Sequence, residues 1–273
     1  MVNPYLYLSY FNLEIMKILI TGHKGFIGGS IFSDLSTKNS YEVKGYDIGD
    51  TFPSEKFDLI IHMAARGLIR KSIEMPYEYF EDDLSLTLKF LEKARKDNSD
   101  FVFPTSGSIA KPTNPYSLSK VQSEEWINLY RELYHTRSYI LKFFNIYGPG
   151  SQKGAVFLFT KAALNKEEAI VYGDGNHKRD YFYIGDMKKV IGLILDRKIK
   201  PGDYQIGTGV KTSVNDLIDI VKTITGNDLK VKHQPYILDE AEELSASNPL
   251  IKDYTSLNEG IRSVVEYIQQ AGL

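Results

Sequence analysis

Apolar runs and helical stripes alternate through the first half of this chain. Strand-like runs lie near 17–21, 42–47, 57–63, 100–104 and 138–144, and helix-like segments near 26–37, 77–96 and 116–135. Strands separated by helical patterns predict βαβ units, and hence an α/β fold with a doubly wound parallel sheet. Within 77–96, Phe80, Leu84, Leu88 and Leu91 recur at three-to-four-residue spacing and form one apolar stripe, read as core packing with a share left for a subunit contact. After Gly148-Pro149-Gly150 the alternation weakens. Shorter elements divided by turns such as Gly173-Asp174-Gly175 and Pro201-Gly202-Asp203 predict a smaller C-terminal α/β lobe.

The first strand runs from Lys17 to Thr21 straight into Gly22-His23-Lys24-Gly25-Phe26-Ile27-Gly28 and then a helical pattern. Each glycine spacing has a physical role. Gly22 permits the tight turn, Gly25 lets backbone N–H groups approach a pyrophosphate, and Gly28 lets the helix pack closely on the strand. This is the layout of a Rossmann-type dinucleotide site. Asp47, at the end of the second strand, can accept both hydroxyls of an adenosine ribose and would repel a 2′-phosphate, which favours NAD over NADP. The strand Asp58–His62 leads into Met63-Ala64-Ala65, small residues that leave room for a cofactor against the strand end. His62 itself reads as a packed, hydrogen-bonded strand residue. The expected cofactor contacts are therefore Gly22, Lys24, Gly25, Phe26, Ile27, Gly28, Asp47, Met63, Ala64 and Ala65, joined by Tyr116 and Lys120. Residues 1–15 are expected to be an N-terminal extension, 16–150 the dinucleotide-binding domain with 180–198 returning to it, and 151–273 the smaller substrate-binding lobe.

Tyr116-Ser117-Leu118-Ser119-Lys120 puts a phenol and an ammonium one helical turn, about 6 Å, apart. A phenol of ordinary pKa ~10 needs roughly 4 kcal/mol of differential stabilisation to act as a base near pH 7. The Lys120 charge is worth roughly 2.8 kcal/mol at an effective dielectric of ~20. A positively charged nicotinamide nearby would supply the rest. Upstream, Phe101–Ser108 reads as a strand ending in hydroxyls, where Ser106 can hydrogen-bond the substrate oxygen that Tyr116 deprotonates; Thr105 and Ser108 compete for that role.

Bulk properties narrow the function classes. With 273 residues, 42% hydrophobic and 25% charged, the chain has the composition of an ordinary globular protein. A net charge of -2 gives no general attraction to nucleic acid or anionic membranes. Cysteine is absent, which excludes thiolate metal sites and disulfides and fits a reducing cytoplasm. The histidines show no metal-binding spacing. Met1–Ile15 lacks the basic start and small-residue cleavage site of a signal peptide, and reads as an upstream extension of the reading frame or a packing arm.

On these residues the chain resembles the extended short-chain dehydrogenase/reductase family, in its nucleotide-sugar epimerase, dehydratase and reductase branch. The resemblance runs from about Met16 to Val221 and rests on Thr21–Gly28, His62–Ala65, Asn114–Lys120, Phe144–Gly150, Tyr172–Gly175, Arg179-Asp180 and Gln205–Gly209. It implies that Tyr116 is the catalytic base, Lys120 its electrostatic partner, and Ser106 the hydroxyl that orients the sugar oxygen. Asn145 and Arg179 would contact the nucleotide diphosphate of the substrate, and two chains would pair as a homodimer through the helices near 77–96 and 116–135. The chain departs from the family pattern in a short Asp47–Asp58 connection, a short Ser106–Tyr116 loop, Asp83 where the family usually has Asn, and Tyr236-Ile237-Leu238 after Pro235 where many relatives place an arginine. Of the branch's reactions, Asp47 and bound NAD favour a cytoplasmic 4-epimerase. A 4-keto reductase is the runner-up, and a 4,6-dehydratase ranks third because its Asp-Glu pair is replaced by Gly107-Ser108. A non-catalytic dinucleotide-sensing protein is the alternative from another class.

Overall fold

The computed structural model describes residues 15–107, 109, 112–235 and 242–273. Six parallel strands form the central sheet in the order β10-β5-β4-β3-β1-β2: β1 Met16–Thr21, β2 Tyr41–Tyr46, β3 Leu59–His62, β4 Asp100–Ser106, β5 Ser138–Phe143 and β10 Gly202–Ile206. Central strands buried on both faces need apolar residues without alternation, and Ile18, Leu19, Ile20, Ile60 and Ile61 are completely buried.

The helices cover both faces. Ile18, Ile20, Ile61 and Leu141 pack against α1 (Phe26–Ser36) and α7 (Met187–Leu195). Leu19, Ile60, Phe101 and Ile140 face α4 (Leu86–Asp97) and α5 (Pro115–Tyr134) on the other side. A second core joins α6 (Gly154–Asn165), α8 (Val214–Thr225) and α9 (Leu257–Ala271) to β7 (Glu168–Tyr172), which pairs in parallel with β12 (Lys230–Gln234). The remaining elements are small: α2 Ile69–Glu74, α3 Pro76–Tyr79, β6 Asn145–Tyr147, β8 Lys178–Arg179, β9 Tyr181–Tyr183, β11 Thr212–Ser213 and β13 Glu243–Leu244.

Three expectations need correction. The segment 77–96 is not one helix: α3 gives way to a π-helical turn over Phe80–Ser85 before α4 begins. The wider turn shifts the helical phase, so Phe80 leaves the apolar stripe and is 49% exposed while Leu84 and Leu91 stay buried. The segment 180–198 adds α7 to the main core, but its strand β9 pairs with β6 outside the main sheet. The sixth strand is β10, read from sequence as a turn in the small lobe; it is short and half polar because it pairs only with β5, at the sheet edge. The expected N-terminal extension lies outside the described residues, apart from Ile15.

Asp180 ties three stretches of the chain together. Completely buried between β8 and β9, its carboxylate accepts hydrogen bonds from the Thr208, Gly209 and Ala246 backbone N–H groups and from the Thr208 hydroxyl at 2.6–3.0 Å. Its own carbonyl accepts from the Asn145 N–H at 3.0 Å. Replacing Asp180 with Ala takes the acceptor from three N–H groups, that of Ala246 buried and those of Thr208 and Gly209 part-buried, each costing up to ~1–3 kcal/mol. The expected loss of unfolding free energy is about 3 kcal/mol or more, measured by urea denaturation; an unchanged midpoint would show that the knot contributes little.

Candidate active site

The turn after β1 is built as the glycine spacing requires. Gly22 has φ +69°, and a Cβ there would stand 2.7 Å from the Ala64 nitrogen. A Cβ on Gly28 would collide with the Gly22 carbonyl oxygen. Gly25 caps α1 in extended conformation, leaving the first N–H groups of the helix directed outward. The cradle therefore fits a pyrophosphate, and side chains at these glycines would fill it.

Gly22, Gly25, Phe26, Ile27, Gly28, Met63, Ala65, Ser106, Tyr116 and Lys120 all line one cleft of about 460 Å³. Lys24, Asp47 and Ala64 lie beside it. Ala64 is buried beneath Gly22, where its N–H donates to Thr21 Oγ1 at 3.0 Å. Asp47 Oδ2 accepts the Lys24 backbone N–H at 3.1 Å and lies 2.9 Å from His23 Nδ1. The carboxylate thus stands at the end of β2, tied to the glycine turn itself. His62 has its ring nitrogens 2.8 and 3.0 Å from the Thr21 and Thr87 hydroxyl oxygens, and burial drives its pKa down to about 3, so it is a neutral packing residue.

Pro115 at the start of α5 and a capping box between Asn114 and Ser117 fix the helix start. Tyr116 and Lys120 then share one face, with the ammonium 6.0 Å from the Tyr116 ring centre. Lys120 is buried; it donates to the Pro104 carbonyl at 3.1 Å and sits 4.6 Å over the Phe103 ring. Burial lowers the Lys120 pKa to about 8, with Asp83 and Glu124 pulling it back up. Burial raises Tyr116 to about 12, reinforced by Asp83 and Tyr79. The expectation that the Lys120 charge, together with a bound nicotinamide, lowers the phenol toward pH 7 thus meets an opposing effect, the burial of Tyr116. Of the rival hydroxyls, Thr105 donates to Glu124 at 2.6 Å, and Ser108 lies outside the described residues.

Asn145 and Arg179 line a different cavity, about 760 Å³, together with Leu68, Tyr172 and Tyr181. Gly67 is on the wall of both cavities, so the two adjoin. Sequence reasoning missed the Gly67–Leu68 wall and the burial of Asp83. The signal available for Asp83 was an acidic residue inside an otherwise apolar helical stripe.

A parallel doubly wound sheet, a glycine cradle at its first strand and a Tyr/Lys pair in the same cleft define a dinucleotide-dependent enzyme. The model of the NAD dependent epimerase/dehydratase family matches residues 18–207, and this chain belongs to that family, with NAD as its cofactor. A Methanocaldococcus jannaschii protein described provisionally as a UDP-glucose 4-epimerase is 33% identical over 75% of this chain and 81% of its own. The UDP-glucose 4-epimerase of Mycolicibacterium smegmatis is 24% identical over 93% and 99%. Among solved structures, the Thermotoga maritima UDP-glucose 4-epimerase with UDP-glucose superposes with a TM-score of 0.82, at 25% identity over 94% of this chain and all of that one. The Thermus thermophilus UDP-glucose 4-epimerase complex with NAD gives 0.80 at 25% identity, with the same coverage.

Replacing Asp47 with Ala removes the carboxylate at the end of β2 that is expected to repel a 2′-phosphate. The NAD-over-NADP affinity ratio, measured by cofactor titration, is expected to fall about tenfold or more; an unchanged ratio would reduce Asp47 to a support for the His23–Lys24 turn.

Proposed function

We propose that this protein is an NAD-dependent nucleotide-sugar 4-epimerase in which Tyr116 is the base, Lys120 its electrostatic partner and Ser106 the group that orients the sugar C4 oxygen. The observation that carries this reading is the shared cleft: the glycine cradle, Ser106, Tyr116 and Lys120 line one volume. UDP-glucose 4-epimerases are among the relatives that match along nearly the whole chain.

Bound NAD supplies a reversible hydride acceptor at sugar C4. Tyr116 Oη takes the C4 hydroxyl proton as the carbon is oxidised and gives it back when the opposite face is reduced, so the reaction needs no net acid or base. The Lys120 ammonium stabilises the phenolate form of Tyr116. Ser106 Oγ hydrogen-bonds the C4 oxygen throughout. Asn145 and Arg179, on the wall of the adjoining apolar cavity, hold the nucleotide diphosphate. A side chain at Gly107 would meet the Phe144 ring, which argues against a dehydratase acid at that position.

The exposed apolar residues Leu118, Leu129 and Leu133 on α5 and Ile73, Tyr77 and Phe80 beside it support pairing of two copies through these helices. Absence of cysteine supports a cytoplasmic location, and no described helix is long and apolar enough to cross a membrane.

Epimerisation should be assayed with UDP-glucose, UDP-N-acetylglucosamine and UDP-glucuronate. Tyr116→Phe is expected to lower turnover by about 10²–10⁴-fold while leaving NAD affinity within a few-fold. Near-normal turnover in that variant would overturn the base assignment. Turnover of none of these sugars by the NAD-loaded wild type would favour the sensing alternative.

A further inference from the structure

Ser106 stands at the tip of β4, where the central sheet supports the strand from one side. β3 pairs with β4 as far as Ile61 and Val102, whereas β5 pairs with it through Phe143 and Ser106. Among the described residues, Phe103–Ser106 therefore have a ladder partner only in β5. The Asp100 N–H donates toward the β3 side, to the Asp58 carbonyl at 2.9 Å, while the Phe101 and Gly107 N–H groups donate toward β5, to the Arg137 and Phe143 carbonyls at 2.8 Å. Backbone groups alternate in direction along a strand, so Pro104 faces the side that β3 has already left, and its ring nitrogen carries no N–H.

Helix α5 takes the place of the missing neighbour. Lys120 Nζ donates to the Pro104 carbonyl at 3.1 Å, and one helical turn further on Glu124 Oε1 accepts the Thr105 hydroxyl at 2.6 Å. The other Glu124 oxygen lies 3.2 Å from Lys142 Nζ of β5, and Lys142 is the residue opposite Thr105 in the register of β4 with β5. Lys142 continues to Asp203 of β10 at 3.4 Å, and Asp203 to Arg131 of α5 at 2.8 Å. Both oxygens of Glu124 are thus engaged, one on each strand, at the level immediately before Ser106. An exposed ion pair such as that of Lys142 with Asp203 contributes little. The bond from Thr105 is different, because a carboxylate accepts it from a buried hydroxyl. The cleft wall includes Thr105 and Ser106 but neither Glu124 nor Lys142.

We propose that Glu124 is a positioning residue that acts through Thr105: its carboxylate clamps the tip of β4 to α5 and so fixes Ser106, on the strand, relative to Tyr116, on the helix. The effect on turnover rests on the reading of Ser106 and Tyr116 as the groups that meet the sugar oxygen; the clamp itself does not. With Glu124 removed, the tip keeps its β5 ladder and the Lys120 bond alone. Orientation is a large part of catalysis, so a small displacement of Ser106 is felt in the chemical step.

The test compares NAD-loaded Thr105→Val, Glu124→Ala and Glu124→Gln, the last of which keeps an amide oxygen to accept from Thr105. Amide hydrogen exchange at Gly107, whose N–H holds the strand end to Phe143, is expected to quicken about tenfold or more in Thr105→Val and Glu124→Ala, and to stay within about threefold of wild type in Glu124→Gln. Turnover should follow the same order. In the first two variants kcat is expected to fall about 10–100-fold with KM and NAD affinity within a few-fold, and Glu124→Gln should restore most of it. The double variant Thr105→Val/Glu124→Ala should lose no more kcat than the worse single one, because each removes the same bond. Unmoved Gly107 exchange in Thr105→Val, which keeps the shape of the side chain, overturns the clamp. Faster exchange with normal kcat, or a double variant whose losses multiply, overturns the positioning role. Ser106→Ala assayed alongside separates the two readings: near-normal turnover there removes Ser106 from the mechanism, and the exchange at Gly107 still decides the clamp.

Discussion

The buried Asp180 carboxylate holds the segments around it in register. A charge with no solvent contact survives only when donors surround it, and here the donors come from two separate stretches: Thr208 and Gly209 after the last sheet strand, and Ala246 after β13. The residue before it, Arg179, and the residue whose N–H binds its carbonyl, Asn145, both stand on the wall of the larger cavity. A side chain on Gly207 would intrude on the same carboxylate. The knot therefore sets where the small lobe presents Arg179 relative to the strand ends that carry Ser106.

Burial also dominates the electrostatics of the catalytic wall. Tyr116, Lys120 and Asp83 lie together between α5, the π turn and the end of β4, and each is pushed toward its neutral form by loss of water. The Asp83 and Lys120 charges oppose that drift in each other, while the Asp83 charge adds to it at Tyr116. A phenol held near pKa 12 is neutral at pH 7, and its ionisation calls for positive charge beside it.

The elements legible in the sequence were those whose environment imposes a simple pattern. Four sheet strands, β1, β3, β4 and β5, were found because burial on both faces requires apolar runs, and the glycine turn because its close approaches tolerate no Cβ. Strand β10 was missed: at the sheet edge, Gly202-Asp203-Tyr204-Gln205-Ile206 needs no apolar run and resembles a turn. The π turn was missed because one extra residue per turn leaves the spacing of Leu84, Leu88 and Leu91 intact and shows itself only in where Phe80 points. The Tyr116/Lys120 pair was legible from helical spacing, but its titration was not, because desolvation depends on how α5 seats against Phe103 and Pro104.

The segment between β3 and α2 ties these features together. Arg66 is fixed by its backbone to Asp83 and by its side chain to Asp82, Gly67 forms the wall shared by the two cavities, and Leu68 exchanges two hydrogen bonds with the Tyr79 hydroxyl. The π turn thus anchors the partition between the glycine-turn cleft and the apolar cavity. A plain α-helix over 77–96 would rotate Asp82, Asp83 and Tyr79 relative to one another, and the partition would lose its anchors.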